Sequence, residues 1–275
     1  MFDSHCHLEF YSWRKAPISS LSDCMERDGE NLGQKFRGCI VNFCDPDQWS
    51  RGERGEKVSK LLREAASDER VGIALGCHPH FAHKMTAERW SQLRRLLSGC
   101  PDFPWLEVVA VGECGLDYSR KNQCDRDLQQ EVFSQQVMLA MDLDLPLVLH
   151  IRQAEEDGLA VLERAGVPPV YPLHRHCWGS DVPGAAAWLE KFPGSKIGVT
   201  GLITSPRAPA ASLVVANTRL DQLLLETDAP YFPPPTAASN PWNCSFPGHV
   251  VHVAARVAEI KKVGNVAVCF IIQLP

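Results

Sequence analysis

The sequence predicts an α/β fold, a single (β/α)8 TIM barrel, and three observations carry that reading. Eight short apolar, β-branched or Gly-flanked runs recur along 275 residues. They begin roughly 25 to 37 residues apart, room in every interval for a strand and a crossover helix. The intervals themselves show helical periodicity. A barrel of this kind takes about 250 residues. The alternative, a doubly wound open sheet, is disfavoured because no GxGxxG opens a helix.

In chain order the strand candidates are residues 2–8 (FDSHCHL), 38–43 (GCIVNF), 71–79 (VGIALGCHP) and 108–117 (VVAVGECGLD). The remaining four are 145–152 (LPLVLHIR), 171–178 (YPLHRHCW), 196–201 (KIGVTG) and 223–230 (LLLETDAP). Between them, GEKVSKLLREAASD, TAERWSQLRRLLSG, QQEVFSQQVMLAMDLD and VPGAAAWLEKF repeat apolar residues at helical spacing, with Thr86 as an N-cap and Gly99 as a C-cap. The charged stretch from Lys57 to Arg70 reads as a solvated face. Residues 9–36 form a long first loop and helix with Tyr11, Trp13, Arg14 and Lys15, and 229–249 form a Pro-rich loop that cannot be helical over most of its length. Both leave the carboxyl ends of strands, where barrel active sites are built. Without a linker, repeat or low-complexity block, residues 1–275 read as one domain.

Composition excludes several classes. No apolar run reaches 18 residues, so no membrane span is expected. The chain enters its first strand at once, which leaves no room for a signal peptide. Eleven cysteines are scattered without a CxxC. Buried free thiols explain them better than a disulfide framework or a Cys-rich zinc module, and a reducing intracellular compartment, nucleus or cytoplasm, is expected. A net charge of −5 lacks the basic footprint of a protein that wraps long duplexes. An anionic substrate must then be met locally, by bound metal and a few Arg or Lys residues, which favours gripping an end or a short piece. A monomer is expected.

Strand ends carry the chemistry. They hold His5 and His7 (first), His78 and His80 (third), Glu113 (fourth), His150 (fifth), His174 and His176 (sixth) and Asp228 (eighth). Residues i and i+2 of a strand share a face, so His5 and His7 reach one ion, with Asp3 on the same side. One histidine at a strand end is more often structural than a ligand. Six strand ends converging by chance are far rarer. Mixed imidazole and carboxylate ligands suit zinc, manganese or nickel, while carboxylate and water alone suit magnesium. Glu113 is placed to bridge two ions, with His5 and His7 on one and His150 and His176 on the other. Two ions about 3.5–4 Å apart activate a shared water and hold the attacking and leaving oxygens of a phosphodiester. Asp228 ligates and takes the proton from that water.

DSHCHL, GCHPH, VGECGLDY, LVLHIR, HCWGS and LLETDAP, in this order and spacing, resemble the TatD family of metal-dependent deoxyribonucleases from residue 2 to about 262. The resemblance implies a TIM barrel holding two or three divalent ions, zinc, magnesium or manganese. It implies hydrolysis of DNA, often as a 3′ exonuclease, with abasic-site endonuclease action as a second mode. Matched position by position, its ligands fall on His5, His7, Glu113, His150, His176 and Asp228, and Glu113 and Asp228 carry catalysis. Related amidohydrolase barrels commonly have a carboxylated lysine where Glu113 stands. That favours the nuclease branch. Two departures stand out: His174 is an extra histidine, read as structural, and residues 263–275 are apolar and uncapped, unlike the family's final helix.

The resemblance implies that GCHPH, with His78 and His80, lies near the substrate phosphate, set against a reading of His80 as a hydrogen-bonded loop histidine. Arg152 is a candidate phosphate clamp, set against a salt bridge on the rim. Tyr118 and Arg120 are candidates for lining the pocket, and Tyr11, Trp13 and Trp242 for stacking on bases, although such aromatics more often pack a loop. His249 and His252 are read as non-ligands on the last helix. Two rivals remain open: a hydrolase of lactones, amides or phosphotriesters on the same barrel, and a non-catalytic metal or nucleic-acid binding protein.

Overall fold

The computed structural model describes residues 1–14, 18, 20, 22–24, 36–50, 59–99, 101–206, 208–235 and 243–264, the side chains of 12–14 apart. Each of the eight strand candidates contains a strand. They are β1 (Phe2–Cys6), β2 (Gly38–Phe43), β3 (Val71–Leu75), β4 (Val108–Asp117), β5 (Leu147–Arg152), β6 (Leu173–Arg175), β7 (Lys196–Val199) and β8 (Leu223–Leu225). The strands follow one another in a single sheet in the order β1 to β8, the order of the (β/α)8 barrel that the sequence predicts.

Five predicted runs, the first, third, sixth, seventh and eighth, overshoot at their carboxyl ends, while β2, β4 and β5 end where expected. Pro79 and Pro230 cannot donate to a ladder. Cys177 and Asp228 take positive φ values of 45° and 53°, outside the extended region. His7, His176 and Asp228 therefore sit just past a last pleat, where the backbone is free to aim them, while Glu113 and His150 lie within β4 and β5.

The chain divides into two compact units, residues 1–41 with 176–275, and residues 42–175. In the first, β1 runs parallel to β2 (Phe2↔Gly38, Asp3↔Cys39) and β7 to β8 (Ile197↔Leu223). A bridge from Cys6 to Ala229 ties β1 to the segment after β8. In the second, β3, β4, β5 and β6 pair in succession, with Gly115 beside His150 and Leu147 beside Leu173. Besides the single turn Pro46–Trp49, the helices of the second unit are α1 (Lys60–Ala65), α2 (Ala87–Leu97), α3 (Arg126–Leu143) and α4 (Glu155–Arg164). The first unit has α5 (Val182–Lys191), α6 (Pro209–Asn217) and α7 (Val250–Lys261). Among the described residues no helix is long and apolar enough to cross a membrane.

Helix ends follow the local signals. Thr86 caps α2 by accepting from the Arg89 N–H at 3.3 Å, and Gly99, just beyond the Ser98 C-cap, supplies a φ of 74°. Asp125 caps α3 through the N–H groups of Asp127 and Leu128. Helix α3 buries Val132, Phe133, Val137 and Ala140, and two glutamines, Gln129 and Gln136, on the same side. They are two turns apart and therefore share a face. The Gln129 Oε1 accepts from the Asp117 N–H at 2.9 Å, at the end of β4. Gln136 brackets Cys77, accepting from its N–H at 2.7 Å and donating to its carbonyl at 3.1 Å. That loop would otherwise bury an unpaired peptide immediately before His78.

Gly115 is required for a different reason. With φ at 143°, a Cβ there would lie 1.9 Å from the His150 carbonyl oxygen, so only glycine lets β4 lie against β5 at this point.

Replacing Gln136 with leucine strands the Cys77 N–H and C=O in the interior. We expect Gln136→Leu to lose on the order of 2–4 kcal/mol in urea unfolding. The exposed change Glu131→Gln on the same helix should stay within about 0.5 kcal/mol. Equal midpoints for the two variants would show that the bracket does not stabilise the fold.

Candidate metal-binding clusters

The first unit gathers four of the six predicted ligands. His5 lies on β1 and His7 one residue past it, and their shared face brings the two Nε2 atoms to 3.1 Å. The segment after β8 continues the ladder: the Asp228 N–H donates to the His5 carbonyl at 3.0 Å and the His7 N–H to the Ala229 carbonyl at 2.7 Å. This alignment sets Asp228 Oδ1 3.7 Å from His5 Nε2 and 3.5 Å from His7 Nε2. His176 comes just after β6; its ring stacks on His5 at 3.7 Å and its Nε2 lies 3.8 Å from Asp228 Oδ2. All four residues are buried.

Two further carboxylates in this unit have structural partners. Asp3, expected on the ligand side of β1, accepts from the Thr227 N–H at 2.8 Å and its hydroxyl at 2.5 Å. It clasps the strand end that presents Asp228 instead of facing an ion with His5 and His7. Burial pushes the Asp3 carboxyl well above the usual carboxylate range despite the bonds from Thr227 and His5. Glu226, which the sequence reading passed over, is fully buried, accepts from the Cys177 N–H at 2.7 Å and stands 3.1 Å from His176 Nδ1. It occupies space left by Gly198, where a Cβ would lie 2.6 Å from its carboxyl oxygens. The partnership leaves His176 Nε2 on the Asp228 side.

The second unit holds the other two predicted ligands. Glu113 comes from β4 and His150 from β5, with Glu113 Oε1 2.6 Å from His150 Nδ1. His78, the N-cap of the turn Pro79–Lys84, brings its Nε2 to 3.8 Å from Glu113 Oε1. Its Nδ1 accepts from the His80 N–H at 3.1 Å, which fixes the two histidines of GCHPH relative to each other. His80 Nε2 then stands 3.0 Å from Asp117 Oδ2. Asp117 is a second residue absent from the predicted set; it stands in the motif VGECGLDY, four residues after Glu113. Burial opposes ionisation of Asp117, but hydrogen bonds with His150, His80 and Ser119 outweigh it and hold the carboxyl far below its ordinary range. Burial, with the charge of neighbouring Glu113, pushes the Cys114 thiol up.

Donor chemistry fits divalent ions in both units. His5, His7 and Asp228 offer ligand atoms all within 4.8 Å of one another, and so do His78, Glu113 and His150. Imidazole with carboxylate is a set that zinc and manganese accept.

Other predicted contacts divide. Arg152 is exposed at the end of β5. Tyr118 points its hydroxyl at Asp157 (2.7 Å), with the Arg126 guanidinium 4.4 Å above its ring. Burial and Asp157 raise its phenol to about 12. Tyr11 does not stack on bases: it is fully buried, donates to the Ser245 carbonyl at 2.7 Å and stacks on Phe246. A ring next to a loop of prolines fills the interior more readily than it waits in solvent. Trp242 and the side chain of Trp13 lie outside the described residues, as does most of 263–275. His174 is buried within β6. His249 precedes α7 and its Nδ1 accepts from the Phe246 N–H at 3.2 Å, a capping role consistent with a non-ligand. The nine described cysteines are all free thiols.

A family model described as TatD related DNase matches residues 2–273, beyond the point near 262 where the sequence reading ended the resemblance. The human 3'-5' RNA nuclease TATDN2 is 33% identical over 259 residues, 94% of this chain; the chain spans about a third of that protein, 32%. The 3'-5' ssDNA/RNA exonuclease TatD of Erwinia amylovora is 37% identical over 196 residues, 68% of this chain and 69% of that protein. Among solved structures, the TatD homologue YjjV of Escherichia coli aligns over 100% of this chain and 98% of its own, with a TM-score of 0.77 and 26% identity. Its likeness supports the barrel class.

Ion binding should register in stability. Saturating Mn2+ or Zn2+, at about 100 times its dissociation constant, should add roughly 2.7 kcal/mol and raise the melting midpoint over EDTA-treated protein. Asp228→Asn and Glu113→Gln should each lose part of that shift in scanning calorimetry. A midpoint indifferent to every divalent ion would argue against metal in either cluster.

Proposed function

The chain belongs to the TatD-related DNase family, a metal-dependent hydrolase group, and on that premise we propose that it is a 3′-to-5′ exonuclease acting on single-stranded or frayed DNA ends. The observation that carries this reading is the recurrence, in each unit, of imidazoles and a carboxylate with ligand atoms within ion-binding distance of one another. The nuclease names of the similar human and Erwinia proteins support the substrate class, and the acidic net charge favours a strand end over a long duplex.

In this reading His5, His7, His176 and Asp228 hold one divalent ion, and Glu113 and His150 with His78 hold another. Zinc, magnesium or manganese serves, and a third ion is compatible with the family. Bound ions supply Lewis-acid stabilisation of phosphate charge and a water that ionises near neutral pH. The protein's own groups do the rest. Asp228, buried but with its carboxyl still partly open, takes a proton from the attacking water. Arg152 neutralises the phosphate, His80, one-third exposed, contacts it, and Tyr118 bounds the site. Water adds to phosphorus, the bond to the 3′ oxygen of the preceding nucleotide breaks, and that oxygen receives a proton. The products are a 5′-mononucleotide and a shortened strand with a 3′ hydroxyl. Abasic-site cleavage is a second mode of the same chemistry. Residues 1–275 act as one catalytic domain, monomeric and intracellular, in nucleus or cytoplasm.

The test is shortening of single-stranded DNA and RNA oligonucleotides with Mg2+, Mn2+ or Zn2+. Wild type should release mononucleotides from the 3′ end only with metal. Glu113→Ala and Asp228→Ala should each be slower by roughly 100-fold or more, about 2.7 kcal/mol of transition-state stabilisation. Preference for RNA would correct the substrate. No cleavage of either polymer by metal-loaded protein would overturn the nuclease reading in favour of a small-molecule hydrolase or a binding protein.

A further inference from the structure

Asp117 is where His80 and His150 meet. Its Oδ2 lies 3.0 Å from His80 Nε2 and 3.3 Å from His150 Nε2, while Oδ1 accepts from the Ser119 N–H at 2.8 Å. The side chain is 3% exposed, so these partners, not water, meet its charge. The position is held from behind, because Gln129 on α3 accepts from the Asp117 backbone N–H. The carboxylate is wedged, not swinging.

The geometry sets the His150 ring between two acids. An ionised carboxylate only accepts, and an imidazole presents one protonated and one lone-pair nitrogen when neutral. Both rings turn Nε2 to Asp117, so both carry a proton there. For His150 the other nitrogen, Nδ1, stands 2.6 Å from Glu113 Oε1, so the ring is held between two carboxylates, and a divalent ion bound with Glu113 would take the place of the proton on Nδ1 while Nε2 keeps its own. A ring committed in this way through its far nitrogen has its orientation and tautomer set, and its basicity raised.

We propose that Asp117 is a positioning residue: by accepting the Nε2–H of His150 it aims that ring's Nδ1 at the ion held with Glu113, and through His80 it ties the same ring to a phosphate contact. One carboxylate thereby couples the metal ligand on β5 to the GCHPH loop. The inference rests on the reading of His150 as a ligand, and the experiment separates the two.

The probe is zinc alone, titrated calorimetrically into metal-free wild type, Asp117→Ala, Asp117→Asn, His80→Ala and His150→Ala, with 15N-histidine spectra of the zinc-loaded proteins. Asp117→Ala should weaken zinc binding in the second cluster roughly 10- to 100-fold, and Asp117→Asn, which keeps an accepting oxygen, should recover part of it. His80→Ala should leave zinc affinity unchanged. In wild type the His150 ring should show zinc at Nδ1 and a proton at Nε2; without the Asp117 carboxylate that pattern should be lost. Wild-type affinity and an unaltered His150 pattern in Asp117→Ala overturn the proposal, as does a variant that melts earlier without zinc but binds it normally. If His150→Ala also binds zinc normally, the failure lies with the ligand reading instead.

Discussion

Burying a carboxylate away from water costs several kcal/mol unless something of opposite or complementary character faces it. This chain buries Glu113, Asp117, Glu226 and Asp228, and each has an imidazole within 4 Å. The makeup of each cluster follows from that constraint. Imidazole is a suitable counter-group because it accepts a proton, donates one, or lends a lone pair to a metal according to what stands opposite. The same pairing that makes the acids tolerable therefore also prepares an ion site. A buried Lys or Arg would neutralise the charge and leave no ligand.

Holding such groups in register is the work of backbone clasps. In the first unit the Asp3 carboxylate binds both Thr227 donors, and the ladder from His5 and His7 to Asp228 and Ala229 continues past β8. In the second, Gln129 and Gln136 reach from one face of α3 to the end of β4 and to the loop after β3. Gly115 admits β5 close enough for His150 to lie beside it. None of these residues offers an atom to substrate or ion. They decide where the residues that do will point.

Much of this was readable in the chain. Strand spacing and helical periodicity located all eight strands, because a parallel β/α repeat writes itself as alternating apolar runs and amphipathic intervals. The HxH pair was readable because strand geometry alone puts i and i+2 on one side. Thr86 and Gly99 were readable because capping is local. Tyr11 went the other way. An aromatic in a loop has no periodicity to declare its side, and only the packing of Phe246 and the Ser245 carbonyl shows that it faces inward.

By itself, then, the sequence determined the order of elements, the fold class, the family and the residue types available at each strand end. These are properties of short windows, where propensity and period act. What only the tertiary structure decided was partnership. Asp3 and Asp228 are both strand-end acids, yet one clasps Thr227 and the other faces two imidazoles. Glu226 and Asp117 emerge as the carboxylates that claim a nitrogen of His176 and His150. Those outcomes depend on which atoms meet across 33 to 224 positions of sequence. No local pattern encodes a meeting of that kind, because it is set by strand register and by which neighbour fills the space first.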